Sequence, residues 1–270
     1  MTDSLFVEQD SALVPTAHSR GPWSPDSLHG GPVAALLARQ LALAPTAGPM
    51  FPARFTLELL RPVALEPMRV SVEVVRPGRK VQVVEARLHR DPNEEAHDGN
   101  LVARATLQQI RDEPVPLPAD VPVLDDPAVG VPPPETLTPA TTAFEGGVAF
   151  HASAVEHRSP MDTFGVPGPA LDWIRVVVDL LPGSPLTPLE RVVAAADFGN
   201  GISSMLPVPD YLFVNPDLSV FLHRLPTDEW IGLDAVTHLG ERGTAIAESL
   251  LFDRRGSIGR SVQTLIVDRT

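Results

Sequence analysis

The chain contains no cysteine. That excludes disulfides, a thiol nucleophile and thiolate metal sites in one step. Lysine is almost as scarce: Lys80 is the sole one, so nearly every base is an arginine. A surplus of base is missing too, since 21 Lys and Arg face 34 Asp and Glu, for a net charge of −13. A nucleic-acid partner needs clustered cations and is not expected, although a small phosphorylated ligand needs only a few. No apolar run approaches the length that spans a bilayer. Residues Met1 to Asp10 are acidic and lack the basic-then-apolar order of a signal peptide, so cytoplasmic residence is the default expectation. No His pair or His/Asp cluster shows ligand spacing, so neither a metal nor another cofactor is expected.

What is present is enough for one large core or two smaller ones: 270 residues, 43% of them hydrophobic and 20% charged. From Arg111 to Ala140 the chain is dense in proline and acids and has no periodicity. Proline removes backbone donors and fixes φ, so this stretch is expected to be an extended connector, residues 113–142. A structureless loop of that length is unusual inside one domain, so two units are expected, 1–112 and 143–270.

The two units look alike. In the first, Pro32 to Leu43 is rich in Ala and Leu and is read as a helix, entered through His29-Gly30-Gly31. Strand candidates follow at Arg54–Arg61, Met68–Arg76, Lys80–Arg90 and Leu101–Ile110, where apolar and polar residues alternate. In the second, Pro188 to Ser203 is read as the helix, with Thr187 as N-cap and Glu190 three residues on. Its strands are expected at Asp217–His223, Trp230–Leu239, Thr244–Phe252 and Ile258–Val267. A helix followed by an antiparallel meander, repeated once, is an α+β layout. Phe55–Arg61 corresponds to Leu218–Arg224, and Ala103-Arg104 to Gly259-Arg260, so an internal duplication is the economical reading.

Short motifs then resemble one family, the double hot-dog acyl-CoA thioesterases of the thioesterase II type. They are Trp173-Ile174-Arg175, Ala195-Ala196-Asp197 at a helix end, Phe213 to Ser219 running on to His223-Arg224, and Ser261-Val262-Gln263. Trp23 and His29-Gly30-Gly31 are similar to hot-dog helix starts generally. The resemblance implies a tandem hot-dog fold, each antiparallel sheet wrapping a central helix, and hydrolysis of an acyl-CoA or other acyl thioester. It also implies that Asp197 and Gln263 activate water together with a hydroxyl residue. The family's Thr falls on Asn215, which still donates and accepts hydrogen bonds. Ser219 supplies a nearby hydroxyl out of register. A homodimer of double hot-dogs is a further expectation from the resemblance alone.

The residue chemistry agrees. Asp197 follows the apolar run Val192 to Ala196, an expensive place for a charge without a purpose. Gln263 lies in a strand of Val, Leu and Ile, and the backbone N–H groups around His29, Gly30 and Gly31 are candidate donors to an oxyanion. Arg76, Arg79 and Lys80 form a basic turn that is either a phosphate contact or a solvated hairpin tip. An α/β-hydrolase is excluded because no Gly-x-Ser-x-Gly occurs. Two alternatives stay open. A hot-dog enoyl-CoA hydratase or dehydratase needs a His/Asp pair, and no second-unit His stands beside the helix in sequence. A non-catalytic acyl-binding protein would keep the fold without the chemistry.

Overall fold

Ala and Leu are strong helix formers, and the Ala/Leu segment becomes helix α1 (Gly30–Ala42) in the structure, a computed structural model that describes residues 3–92, 96–121, 131–140, 147–160, 166–207 and 210–270. It begins two residues before Pro32, because His29 is the extended N-cap and proline is tolerated in a first turn. Gly31 to Ala38 are all buried, so the helix is enclosed on every side there.

The second helix is not continuous. It divides into α2 (Pro188–Ala196) and α3 (Gly199–Ile202), with Asp197 and Phe198 in the break. The expected capping box of Thr187 and Glu190 starts α2. At the break, the Phe198 N–H reaches the Ala195 carbonyl at 3.0 Å, a tightened turn. The Asn200 N–H, which the turn cannot satisfy, is taken by Gln263 Oε1 at 3.1 Å.

The strands of the first half are β1 (Phe6–Gln9), β2 (Ala12–Pro15), β3 (Met50–Leu59), β4 (Met68–Arg76), β5 (Val81–Arg90) and β6 (Leu101–Arg111). Those of the second are β7 (Val155–Arg158), β8 (Ala170–Val176), β9 (Tyr211–Val214), β10 (Asp217–Leu222), β11 (Ile231–Leu239), β12 (Thr244–Asp253) and β13 (Gly256–Arg269). They form one antiparallel sheet in the order β1-β2-β4-β5-β6-β3-β10-β13-β12-β11-β8-β7, with β9 also on β13. Every strand read from alternation is present with small shifts at its ends, and Met68–Arg76 matches to the residue. The Phe213–Ser219 segment is two strands, split at Asn215-Pro216.

The halves meet where β3 pairs with β10. The correspondence of Phe55–Arg61 with Leu218–Arg224 sets Thr56 against Ser219, and these two are register partners in the sheet. Phe55 then pairs with Val220 and Leu57 with Leu218, each the other's counterpart exchanged about the Thr56–Ser219 pair, as a pseudo-two-fold axis through that pair requires. On the inner face Phe55, Leu57, Ala86, Leu88, Ala105 and Leu107 enclose α1, while Leu218, Val220, Leu233 and Leu251 enclose α2, all within one core. Emptying such a position, as in Leu36→Ala, costs about 2–5 kcal/mol. The two helices run antiparallel against each other: Gly31 lies over the Ala194 carbonyl, and Arg39 reaches Glu190.

On the outer face the halves differ. Around β3, β5 and β6 it carries the ion pairs Arg104–Glu58 and Arg87–Glu85. Around β8, β11 and β12 it carries Trp173, Trp230 and Phe252, with Val131 and Leu137 packed on them. Trp173 Nε1 donates to the Pro132 carbonyl at 3.0 Å. The Pro-rich stretch thus covers as well as connects. Its residues 122–130, and 141–142 of the expected connector, lie outside the described residues.

Candidate active site

Because α1 and α2 are antiparallel, the N-terminus of the first faces the C-terminus of the second. Asp197, ending α2, therefore points its carboxylate at the first turn of α1. A Cβ on Gly30 would stand 2.7 Å from both carboxylate oxygens, so glycine is what allows the approach. The partial positive charge at the start of α1 and three side-chain donors compensate a group that is 2% exposed.

Those donors come from separate elements. His29 Nδ1 lies 2.8 Å from Asp197 Oδ2. Asn215 Nδ2 donates to Oδ1 at 2.9 Å, and Gln263 Nε2 donates to the same oxygen at 3.4 Å and to the Asp197 carbonyl at 3.3 Å. His29 Nδ1 is also 3.1 Å from the Gly31 N–H, which it can accept only if it carries no proton. The two roles exclude each other. A lone pair aimed at a buried carboxylate would repel it, so the shorter contact places the proton on Nδ1, directed at Asp197.

A cavity of about 860 Å³ opens on this cluster, mostly apolar and lined by both halves. His29, Gly30, Asp197 and Asn215 line it; Gln263 does not, and stands behind Asp197 with 1% of its surface exposed. Gln263 is therefore neither on a solvent face nor on the cavity wall, and its acceptor is already used by Asn200. Gly31 supports the site from within the helix packing, where a Cβ would meet Phe150 at 2.7 Å. Ser219 alternates with the core-facing Leu218 and Val220, so it lies on the outer face and does not line the cavity. Arg76, Arg79 and Lys80 are not brought to it either. Register runs from Leu59 to Ala103 to Leu88 at the cavity end of the first sheet, and from Arg54 to Gln108 to Val83 to Arg76 at the opposite end. Among the described lining residues the one Arg or Lys is Arg61, whose guanidinium donates to the Asp98 carbonyl at 3.3 Å and to that of Leu101.

Of the other lining residues, Trp23 and Phe213 belong to the sequence motifs, whereas His151 carried no signal in the sequence. His151 sits on a π-helical turn, Phe150–Ala154, a geometry frequent at functional sites. Burial, then the nearby His29 and His157, push its pKa down to about 4, so it is neutral at pH 7. Phe198 stacks beside His29 with ring centroids 4.8 Å apart, and Trp23 meets Phe213 edge-on at 5.2 Å on the cavity wall. No group of three or more His, Asp or Glu with metal-binding geometry occurs among the described residues. No described helix is long and apolar enough to cross a membrane.

Two central helices wrapped by one antiparallel sheet, with a carboxylate cavity where they meet, define a double hot-dog protein. The family profile described as the acyl-CoA thioesterase N-terminal domain matches residues 19–109, and that of the acyl-CoA thioesterase C-terminal domain matches residues 128–267. The chain belongs to the acyl-CoA thioesterase family, and it is a thioester hydrolase. Among solved structures, a protein assigned as a thioesterase II from Thermobifida fusca superposes with a TM-score of 0.73 at 18% identity, covering 96% of this chain and 92% of its own. A hot-dog protein of unknown function from Alicyclobacillus acidocaldarius gives 0.68 at 16% identity, over 97% and 95%. A tesB protein of Mycobacterium avium subspecies paratuberculosis gives 0.65 at 17%, over 97% and 95%. At these identities the likeness speaks for the fold. No curated protein matches the sequence.

Proposed function

We propose that the cavity hydrolyses an acyl-CoA by activating water on Asp197, without a covalent enzyme intermediate. The observation that carries this is a 2%-exposed carboxylate held by His29 Nδ1 at 2.8 Å and Asn215 Nδ2 at 2.9 Å on the wall of an apolar cavity. A carboxylate offers about four acceptor sites, and His29, Asn215 and Gln263 use three. The fourth is left for a water. Asp197 takes a proton from that water as its oxygen attacks the thioester carbonyl carbon. The resulting oxyanion is met by backbone N–H groups at the start of α1, where His29 and Gly30 line the cavity. The C–S bond then breaks, and the proton held on Asp197 goes to the departing sulfur, leaving a carboxylic acid and a thiol.

In this scheme Asn215 replaces the family's hydroxyl as a donor to Asp197, and Gln263 orients the carboxylate from behind. The same reading divides the chain into hot-dog units at 1–112 and 143–270 with a connector at 113–142, and places it in the cytoplasm. A homodimer of such chains is testable by light scattering.

One observation favours a second reading. A hot-dog hydratase needs a His/Asp pair, and the histidine that the second unit does not place beside its helix in sequence is supplied by the first, as His29 against Asp197. Loss of enoyl absorbance from an enoyl-CoA separates that activity from hydrolysis. The deciding experiment measures thiol release across an acyl-CoA series by the native chain, Asp197→Asn and Gln263→Ala. Release that falls by about 10²–10⁴ in Asp197→Asn, with the unfolding midpoint unchanged, supports the scheme. No release at any chain length overturns the CoA-hydrolase reading. Full activity in Asp197→Asn moves the base elsewhere, with His29 next.

A further inference from the structure

A second histidine–carboxylate pair lies beyond the cavity wall, and the hydrolysis scheme does not use it. His157 Nδ1 stands 2.6 Å from Asp172 Oδ2, with the two side chains 1% and 0% exposed. Removing a carboxylate and an imidazole from water is expensive, and an apolar pair of similar volume often serves stability as well. Strand pairing does not demand it: His157 is the register partner of Ile174, and Asp172 that of Leu233.

What the pair touches is informative. The His157 ring meets Phe198 edge-on, with centroids 4.9 Å apart at 78°. On its other contacts Phe198 lies 4.8 Å from His29 and 5.6 Å from Phe150, and Phe150 is itself 5.0 Å from His29. Phe198 is also the residue after Asp197, in the break between α2 and α3. One buried ring therefore connects the second pair with both members of the first. The same neighbourhood holds His151, on which His29 and His157 both act.

We propose that Asp172 and His157 are positioning residues, which hold Phe198 against His29 so that its Nδ1 proton stays directed at Asp197. This rests on the reading of Asp197 and His29 given above. An edge-on ring contact is directional, so fixing the His157 imidazole through Asp172 fixes the ring it abuts. Misplacing a reacting group by about 1 Å costs on the order of 100-fold in rate. The pair's buried cost is then tied to geometry at the cavity rather than to the β7–β8 edge.

The test uses the full chain and the acyl-CoA that turns over fastest. kcat and KM are measured for Asp172→Asn and for His157→Phe/Asp172→Leu, each in the native and the Phe198→Leu background. Expected is a kcat about 10- to 100-fold lower with KM held, and no further loss from the same changes when Phe198 is already Leu. The His29 Nδ1 proton, followed by nitrogen-15 NMR in Asp172→Asn, is expected to shift. A lowered unfolding midpoint with kcat and the His29 signal unchanged would make the pair a structural pin and overturn the proposal. Equal losses in both backgrounds would overturn the route through Phe198. Asp197→Asn is run alongside: if it stays active the hydrolysis scheme itself fails, whereas an inactive Asp197→Asn beside unaffected Asp172 variants sinks only the positioning role. Should the double variant not fold, Asp172→Asn and its NMR signal decide.

Discussion

The two places where a helix start meets a helix end make a natural comparison, because the duplication builds both from the same parts. At one, the start of α1 meets the end of α2, and His29 faces Asp197 beside an open cavity. At the other, the start of α2 meets the last turns of α1, and Arg39 fills the junction. Its Nε and Nη2 reach the Glu190 carboxylate at 2.5 and 2.7 Å, and two further donors go to Ser184 Oγ and the Pro185 carbonyl. Glu190 is 1% exposed and also accepts the Thr187 N–H, closing the cap of α2. One junction spends its charges on each other and on backbone groups. The other keeps a carboxylate whose partners are neutral amides and an imidazole. The repeated layout thus gives two corresponding positions, one filled by an ion pair and one open to the cavity.

The largest expected effect breaks the open junction. Asp197→Asn keeps the shape and removes the proposed base, so thiol release should fall by about 10²–10⁴ while the urea midpoint holds. The sealed junction should respond the opposite way. Arg39→Met leaves Glu190 buried without its cation and is expected to cost about 3–5 kcal/mol in urea unfolding, with kcat of the folded protein unchanged. Arg39→Met with Glu190→Leu should recover most of that loss.

Next in size is a pH effect at the open junction alone. Unfolded, His151 takes a proton near its ordinary pKa of 6.5; folded, burial and the neighbouring His29 and His157 delay this to about 4. Between those values the unfolded chain binds the extra proton, so the contribution is complete above about pH 6.5 and declines as pH falls towards 4. The decline is at most about 3 kcal/mol, and replacing His151 by Phe should flatten that part of the stability profile. The smallest effect sharpens the comparison with the family: Asn215→Thr exchanges one donor to Asp197 for another, and the rate should stay within about tenfold.

Much of this was legible in the sequence. Alternation located the long strands because a two-sided sheet with a buried inner face must alternate, and the Pro/acid stretch marked the division of the repeat. The second helix was read through Asp197 to Ser203 although Gly199-Asn200-Gly201 signals a turn there; what was not legible is the tertiary support of the break, Gln263 reaching Asn200. The hairpin of β1 and β2 was missed because it is short and held from afar, with the Leu5 and Phe6 N–H groups on the carbonyls of Asp179 and Leu180. At the site, Asp197, Gln263 and Asn215 came from motifs and are brought together. His29 was named from its Gly loop, but its pairing with Asp197 came only from folding, since the two are 168 positions apart (197 minus 29) and no local spacing relates them. The basic turn of Arg76, Arg79 and Lys80 shows the converse: local charge says nothing about which end of a sheet a hairpin occupies.

The composite origin of the site has a consequence for how the protein behaves on dilution. A pocket whose walls came from two separate chains would fall apart when those chains became scarce. Here the covalent connection makes docking of the halves intramolecular, with an effective concentration in the millimolar range for a tether of modest length. Activity per molecule should therefore be the same at nanomolar as at micromolar protein, whatever further assembly the chains undergo.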